Sequence, residues 1–163
     1  MRVLTLVVLV GLLASPASAQ SSDAELIAPI QKFINSFNKG DIPGAAATHA
    51  TGADLTITDE VPPYVWRGPN AFTAWAGDLD SDAKKNGITE PMVTVSKPTR
   101  IERSGDQAYV VVPAVYTFKL KGAAMREPAQ MTVVLRRGAS GWLIHGWTWT
   151  GPKPRAAAPP VKK

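Results

Sequence analysis

The residue in this sequence that is best placed to do chemistry is Asp59. In the run from Ala53 to Asp59, strand alternation puts its carboxylate on the same side as the apolar residues Leu55 and Ile57. An ionisable group on an apolar face is costly unless it is paired, so Asp59 marks either a functional pocket or the end of a strand. In a pocket with apolar walls, it would have the raised pKa that a general base needs.

The two histidines, His49 and His145, are the other candidates for chemistry. A zinc or iron site would need both of them to converge with carboxylates such as Asp54 or Asp59. Alternation places His145 on the same side as Trp147, which we assign to the outer face of the sheet. We therefore expect no metal site and no bound cofactor.

Other catalytic signatures are missing from the sequence. The chain has no cysteine, which excludes disulfides, thiolate metal sites and a cysteine nucleophile. The nucleophile elbow, the P-loop and the dinucleotide fingerprint are also absent, and the glycines lie where turns are expected. The sequence therefore offers Asp59 as its main catalytic candidate.

Two helices are predicted before the Asp59 strand. A capping box at residues 22–25 precedes apolar residues at helical spacing, and Gly40 should end this first helix. Pro29 fits best in a first turn, so regular helix is expected to begin near Ala28. The second helix is predicted over residues 41–49.

A third helix and four strands follow. The helix should begin at Pro69 and end before Gly87, with Phe72 and Trp75 on its apolar stripe. Runs of β-branched and aromatic residues then predict antiparallel strands over residues 89–103, 106–120, 126–137 and 141–150. The fold class is α+β, with a curved antiparallel sheet wrapped around about three helices.

Both faces of the predicted sheet are apolar. One face can pack on the helices, whereas the other needs a cover, which a second copy of the chain would supply. We therefore expect a homodimer through the outer sheet face. The residues predicted to form this dimer face are Val111, Val115, Leu143, His145 and Trp147.

The first 19 residues have the pattern of a secretory signal peptide. Met1 and Arg2 precede an apolar run, and small residues lead to a cleavage position after Ala19. The apolar run is too short for a stable membrane helix, so no integral membrane segment is expected after cleavage. We therefore predict a periplasmic or secreted protein.

The mature chain is predicted to form one domain over residues 20–150, followed by a tail over residues 151–163. The net charge is +5, yet residues 20–150 carry 13 basic and 13 acidic side chains. Because the domain is neutral, we expect no nucleic-acid partner. The tail, rich in proline and lysine, should be extended or disordered, and its charges would suit weak adhesion to anionic surfaces.

The order of elements and three short motifs resemble the nuclear transport factor 2-like superfamily, which includes SnoaL-like domains and ketosteroid isomerases. The motifs are residues 31–41 at the end of the first helix, Asp59 nine residues before Gly68, and residues 141–144 at the start of the last strand. The resemblance implies a cystatin-like cone of curved sheet with a ligand pocket at its open end. It also implies pairing of two copies through the outer sheet face.

In the ketosteroid isomerase-like enzymes, a carboxylate at the position of Asp59 takes a proton from a carbon next to a carbonyl. A tyrosine and a protonated acid then donate hydrogen bonds to the oxyanion. These two donor positions fall on Phe33 and at or near Val133, which have no hydrogen-bond donor in their side chains. The resemblance therefore argues against ketosteroid isomerase activity, although Tyr116 or Thr132 could donate from another place.

The predicted function is that of an exported protein that binds a small, largely apolar ligand in a cone-shaped pocket without turnover. The alternative is an isomerase, dehydratase or hydrolase that uses Asp59 as general base, with Tyr64, Tyr116 or His49 as its partner. Aromatic residues at these spacings also fit a packed core. The predicted pocket residues are Phe33, Phe37, Asp59, Tyr64, Trp66, Phe72, Trp75, Tyr116 and Phe118.

Overall fold

The computed structural model of the protein describes residues 22–157, so the predicted signal peptide and the last six residues of the tail lie outside it. In this range the helices are α1 (Asp23–Asn38), α2 (Ile42–Ala46) and α3 (Ala71–Asn86). The strands are β1 (Thr56–Thr58), β2 (Val65–Arg67), β3 (Ile88–Val95), β4 (Arg100–Ser104), β5 (Gln107–Leu120), β6 (Ala123–Gly138), β7 (Gly141–Thr150) and β8 (Arg155–Ala156). Within residues 22–157, no helix has the length and apolar character needed to cross a membrane.

The strands form one curved sheet in the order β2-β1-β7-β6-β5-β3. β4 also pairs with β5, and β8 with β6. All pairings are antiparallel except that of β1 with β7, which is parallel. The long hairpin of β5 and β6 forms the centre of the sheet, and α1 and α3 pack against the sheet. The predicted α+β class and the cone of curved sheet are thereby confirmed.

Helix α1 begins earlier than predicted. The Ser22 side chain accepts a hydrogen bond from the backbone N–H of Glu25, and the helix continues through Pro29 without a break. Pro29 cannot donate a backbone hydrogen bond, but Leu26 and Ile30 on either side of it are fully buried. Burial of this apolar face keeps the first turns helical, so the expected start near Ala28 is wrong.

The predicted strand over residues 89–103 is in fact two strands, β3 and β4. The strand is interrupted over residues 96–99, where Pro98 has no N–H for a strand ladder, although the backbone N–H groups of Ser96 and Thr99 still donate to carbonyls of β5. Both strands nevertheless pair with β5, since Val95 lies opposite Ala114 and Arg100 lies opposite Val111. Both segments therefore remain paired with β5 on either side of the break. The other two helices are also shorter than predicted, with α2 ending at Ala46 and α3 beginning at Ala71.

A β-bulge in β7 changes which side chains face the helices. Leu135 pairs with Ile144 and Val134 pairs with Gly146, which leaves His145 as the extra residue. Beyond the bulge the alternation is reversed, so Trp147 joins the core and is 4% exposed. The assignment of Trp147 to the outer dimer face is therefore wrong.

The outer face of the sheet keeps part of its apolar character. Tyr109 and Val134 are exposed there, whereas Val111 is already buried within the single chain. The other residues assigned to the dimer face are half-buried: Val115, Leu143 and His145. Pairing of two copies through this face stays a prediction.

The described part of the tail returns to the sheet. Arg155 and Ala156 form β8, which pairs with Arg126 and Met125 of β6. The backbone N–H of Ala157 also donates to the carbonyl of Ala124, at 2.9 Å. The tail is extended here. It pairs with β6 through backbone hydrogen bonds, and the sequence did not predict this pairing.

Candidate functional site

A cavity of about 170 Å³ lies between α1, α3 and the sheet. Aromatic and aliphatic side chains form most of its wall, and three carboxyl groups face it, from Asp59, Glu60 and Glu127. No lysine, arginine or histidine is among the described residues that line it. The aromatic residues of the wall are Phe33, Phe37, Trp75, Tyr116, Phe118, Trp147 and Trp149.

Six of the nine predicted pocket residues line this cavity: Phe33, Phe37, Asp59, Trp75, Tyr116 and Phe118. The other three lie elsewhere. Tyr64 is exposed in the loop before β2, and Trp66 is buried with its indole N–H donating to Asp78 on α3, at 2.7 Å. Phe72 packs in the core against Phe33 and His49. Aromatic type and spacing alone do not distinguish a cavity wall from the core behind it.

Asp59 lies directly after β1, where its backbone N–H donates to the carbonyl of Tyr64, at 3.0 Å. Its side chain is on the same side as Leu55 and Ile57, as the alternation predicts, and it reaches the cavity. The Oδ2 atom accepts a hydrogen bond from the Trp75 indole at 2.7 Å, and Oδ1 accepts one from the backbone N–H of Glu60 at 2.7 Å. Burial raises the pKa of Asp59, while these two bonds oppose the rise.

Glu127 is the functional candidate that the sequence analysis missed. It lies on β6 opposite Tyr116 of β5 and is 3% exposed. Its Oε1 atom accepts a hydrogen bond from the Trp149 indole at 2.7 Å. Burial raises the pKa of Glu127 to about 7 against that bond, and the charges of Glu60 and Asp59 add to the rise. Near neutral pH this carboxyl is therefore present in both protonated and ionised forms.

The strand pattern contained a signal for Glu127. In the predicted strand over residues 126–137 it has the same parity as Ala129, Met131 and Val133, which makes it an acid on an apolar face like Asp59. Val133, where the resemblance put the acid position, is fully buried in the core and does not line the cavity. Thr132 has the opposite parity and does not line it either. Glu127 lies six residues before Val133, roughly 20 Å along the strand.

Tyr116 supplies a hydroxyl group to the same cavity. Its ring stacks on Phe118 with the centroids 4.7 Å apart. Burial raises the pKa of Tyr116 to about 12, and the negative charges of Asp59, Glu127 and Asp82 contribute to the rise. Tyr116 is thus protonated at neutral pH and able to donate a hydrogen bond.

Glu60 stands at the rim of the cavity and is more exposed than the other two acids. Its Oε1 atom accepts a hydrogen bond from the backbone N–H of Gly151, at 3.2 Å. Partial burial raises the pKa of Glu60 against that bond, and the charge of Asp59 raises it further. Within residues 22–157, Asp59, Glu60 and Glu127 form no ion pair with a basic side chain.

The two histidines lie apart from the cavity and from each other. His49 is buried, where its Nε2 accepts a hydrogen bond from the Trp147 indole at 3.1 Å, and burial lowers its pKa to about 4. His145 lies 3.1 Å from the Asp54 carboxylate, near the surface. Among the described residues, no group of three or more histidine or acidic side chains could hold a metal ion.

Comparison with known proteins places this architecture in a family. A family model described as the SnoaL-like domain matches residues 27–147. The chain belongs to the SnoaL-like family. No curated protein matches it.

Solved structures resemble this SnoaL-like protein over most of its length. A nuclear transport factor 2-like protein from Salmonella enterica has a TM-score of 0.65 at 15% identity, covering 85% of this chain and 94% of its own. A hexachlorocyclohexane dehydrochlorinase has a TM-score of 0.64 at 17% identity, covering 86% and 100%. A Nostoc punctiforme protein with a cystatin-like fold has a TM-score of 0.57 at 16% identity, covering 79% and 90%. At these identities the likeness shows the fold alone.

In this SnoaL-like protein, the tail contributes to the cavity. Pro154 lines it, although this residue lies seven positions beyond the end of the family match. The hydrogen bond from Gly151 to Glu60 and the pairing of β8 with β6 fix the backbone on both sides of Pro154. The wall at this end therefore belongs to the chain's own extension rather than to the matched family domain.

Gly151→Ala should disturb this end of the cavity, because a Cβ atom at Gly151 would lie 2.2 Å from Oε1 of Glu127. We expect a loss of about 1–3 kcal/mol in the free energy of unfolding, as for other overpacked sites. Urea denaturation measures the effect. Gly77→Ala is the matched control, since no atom lies within 4 Å of its added Cβ, and it should not destabilise the protein. Equal stability of Gly151→Ala and wild type would contradict the close approach.

Proposed function

We propose that this protein binds a small, largely apolar molecule in the cavity. The observation that carries the proposal is the Glu127 carboxyl, which is 3% exposed, has no basic partner in the described chain and faces an apolar space. Burying such a group costs stability. Buried ionisable groups of this kind are common in functional sites, where the group contacts a ligand.

The size and chemistry of the cavity suit this role. An engineered cavity of about 150 Å³ in another protein binds benzene, so 170 Å³ has room for a molecule of about one ring. Aromatic walls favour a flat apolar body, and a few polar groups would orient it. Here these groups are the Tyr116 hydroxyl and the carboxyls of Asp59 and Glu127.

Filling the cavity tests the binding proposal. Wild-type protein should bind p-cresol, which has an apolar ring and one hydroxyl that can donate to a carboxylate. Val93→Phe adds volume at a buried lining residue and should abolish this binding, as measured by isothermal titration calorimetry. Val134→Phe adds the same group on the exposed outer face and should leave binding unchanged. Unchanged binding by a folded Val93→Phe would contradict the proposal, as would a wild type that binds neither p-cresol nor choline, a small molecule of similar size.

Asp59 favours a second candidate function, in which the cavity carries out proton transfer. Its pKa is raised by burial, and the protonated Tyr116 hydroxyl faces the same space as a possible donor to developing negative charge. A dehydrochlorinase is among the similar folds. Asp59→Asn should then abolish turnover of a carbon-acid substrate while its binding persists. Turnover that survives this change would rule out Asp59 as the base.

A further inference from the structure

We propose that the ligand of this cavity is an organic cation, such as an amine or a quaternary ammonium compound, held between the aromatic rings and the three carboxyls. The inference rests on the proposed binding function and specifies the class of ligand. It follows from the charge of the cavity wall and from the hydrogen bonds that join two of its acids to tryptophan side chains.

Apart from the Tyr116 hydroxyl and the tryptophan indoles, the polar groups of the cavity wall are acids. Asp59, Glu60 and Glu127 face the cavity, and no basic residue is found among the lining residues that the structure describes. These three acids also form no ion pair elsewhere in residues 22–157. The acids therefore face an apolar space without a counter-charge from the described part of the protein. A cationic ligand would supply that counter-charge.

Two of the acids are anchored directly to aromatic side chains of the wall. The indole of Trp75 donates to Asp59, and the indole of Trp149 donates to Glu127, both at 2.7 Å. All four side chains line the cavity. Because the face of a tryptophan ring attracts cations, a carboxylate beside it combines two attractions for one positive group.

Other classes of ligand fit less well. An anion would be repelled by the three carboxyls. A neutral donor could bind one of them but would leave the repulsion that Asp59 and Glu60 exert on Glu127. A metal ion needs several converging ligands, and no suitable group exists among the described residues. An organic cation is the class that uses both the rings and the acids.

The proposal predicts how affinity depends on pH. A bound cation favours the ionised form of Glu127, whose pKa in the free protein is raised to about 7. Binding below pH 7 must therefore release a proton. The affinity for the cation should be highest above pH 7 and should fall by up to about tenfold for each pH unit below it. A neutral ligand would lack this fall.

The test compares choline with 3,3-dimethylbutan-1-ol, a molecule of the same shape in which carbon replaces the charged nitrogen. At pH 8, calorimetry should show choline binding at least about tenfold more tightly, the difference that a desolvated cation–ring contact supplies. Glu127→Gln should weaken choline binding by at least about tenfold and remove its dependence on pH between 6 and 8. Its effect on the binding of the uncharged alcohol should be clearly smaller.

Each outcome of this test decides between the proposals. If the alcohol binds as tightly as choline, or if p-cresol binds and choline does not, the ligand is not a cation and the binding function still stands. If none of the three compounds binds, both proposals are wrong. Should Glu127→Gln fail to fold by circular dichroism, Glu60→Gln at the rim provides the second variant and should also weaken choline selectively. Unchanged choline affinity in the folded variant would overturn the inference.

Discussion

Replacing Phe33 with alanine should lower the free energy of unfolding by about 3–5 kcal/mol, the range for large aromatic residues in cores. Phe33 on α1 is 1% exposed, and its ring contacts those of Phe72 and Trp75 on α3 and Trp147 on β7, with centroids 5.8, 6.1 and 5.8 Å away. Its removal eliminates contacts that join α1 to α3 and to the sheet. The space left behind would merge with the neighbouring cavity, so collapse of the surrounding side chains could not recover the lost contacts.

Urea denaturation at pH 7, followed by circular dichroism, measures this loss. Phe37→Ala is the matched control, since Phe37 lies one turn further along α1 and is only half-buried. Its loss should be clearly smaller. If Phe33→Ala costs less than about 1 kcal/mol, or no more than Phe37→Ala, then Phe33 does not have the central packing role assigned to it.

Glu127→Gln should raise the free energy of unfolding at pH 8 by about 1–3 kcal/mol and change it little at pH 4.5. Burial raises the pKa of Glu127 from 4.5 to about 7, and each pKa unit corresponds to about 1.4 kcal/mol. The folded state therefore binds more protons than the unfolded state between these two values, and its stability falls as the pH rises through this range. Glutamine keeps an oxygen for the Trp149 indole but has no proton to lose.

The difference in stability between wild type and Glu127→Gln should be measured at both pH values. His49, Asp59 and Glu60 are present in both proteins, so the parts of their contributions that do not depend on Glu127 cancel in this difference. Glu102→Gln serves as the control, since Glu102 is an exposed acid on β4. Its effect should stay within about 0.5 kcal/mol at each pH. If Glu127→Gln changes the free energy of unfolding equally at pH 4.5 and pH 8, the pKa of Glu127 is not raised in the folded state.

Local patterns of sequence were sufficient to predict the main elements of the fold. Apolar spacing and glycine caps located α1 and α3, and β-branched runs located the long strands. Alternation alone brought Asp59 to the inner face, because β1 reaches it without a slip of register. The family resemblance then supplied the arrangement of these elements as a cone.

The features that could not be predicted depend on contacts between distant parts of the chain. The bulge at His145 reverses the faces of Trp147 and Trp149, and it lies just before the stretch where β7 pairs with β1 as well as with β6. β8 is held by backbone hydrogen bonds, which leave little trace in residue type. Glu127 had a visible parity signal. The family resemblance, however, points to Val133 for the position of the acid.

The central claim is that Glu127 faces the cavity as a buried acid without a basic partner among the described residues. Carbon-13 NMR of the side-chain carboxyls, followed from pH 3 to pH 9 in the free protein, tests it most directly. We expect one glutamate carboxyl to titrate near pH 7, and this resonance to be missing from Glu127→Gln. Titration of every glutamate below about pH 5 would contradict the claim.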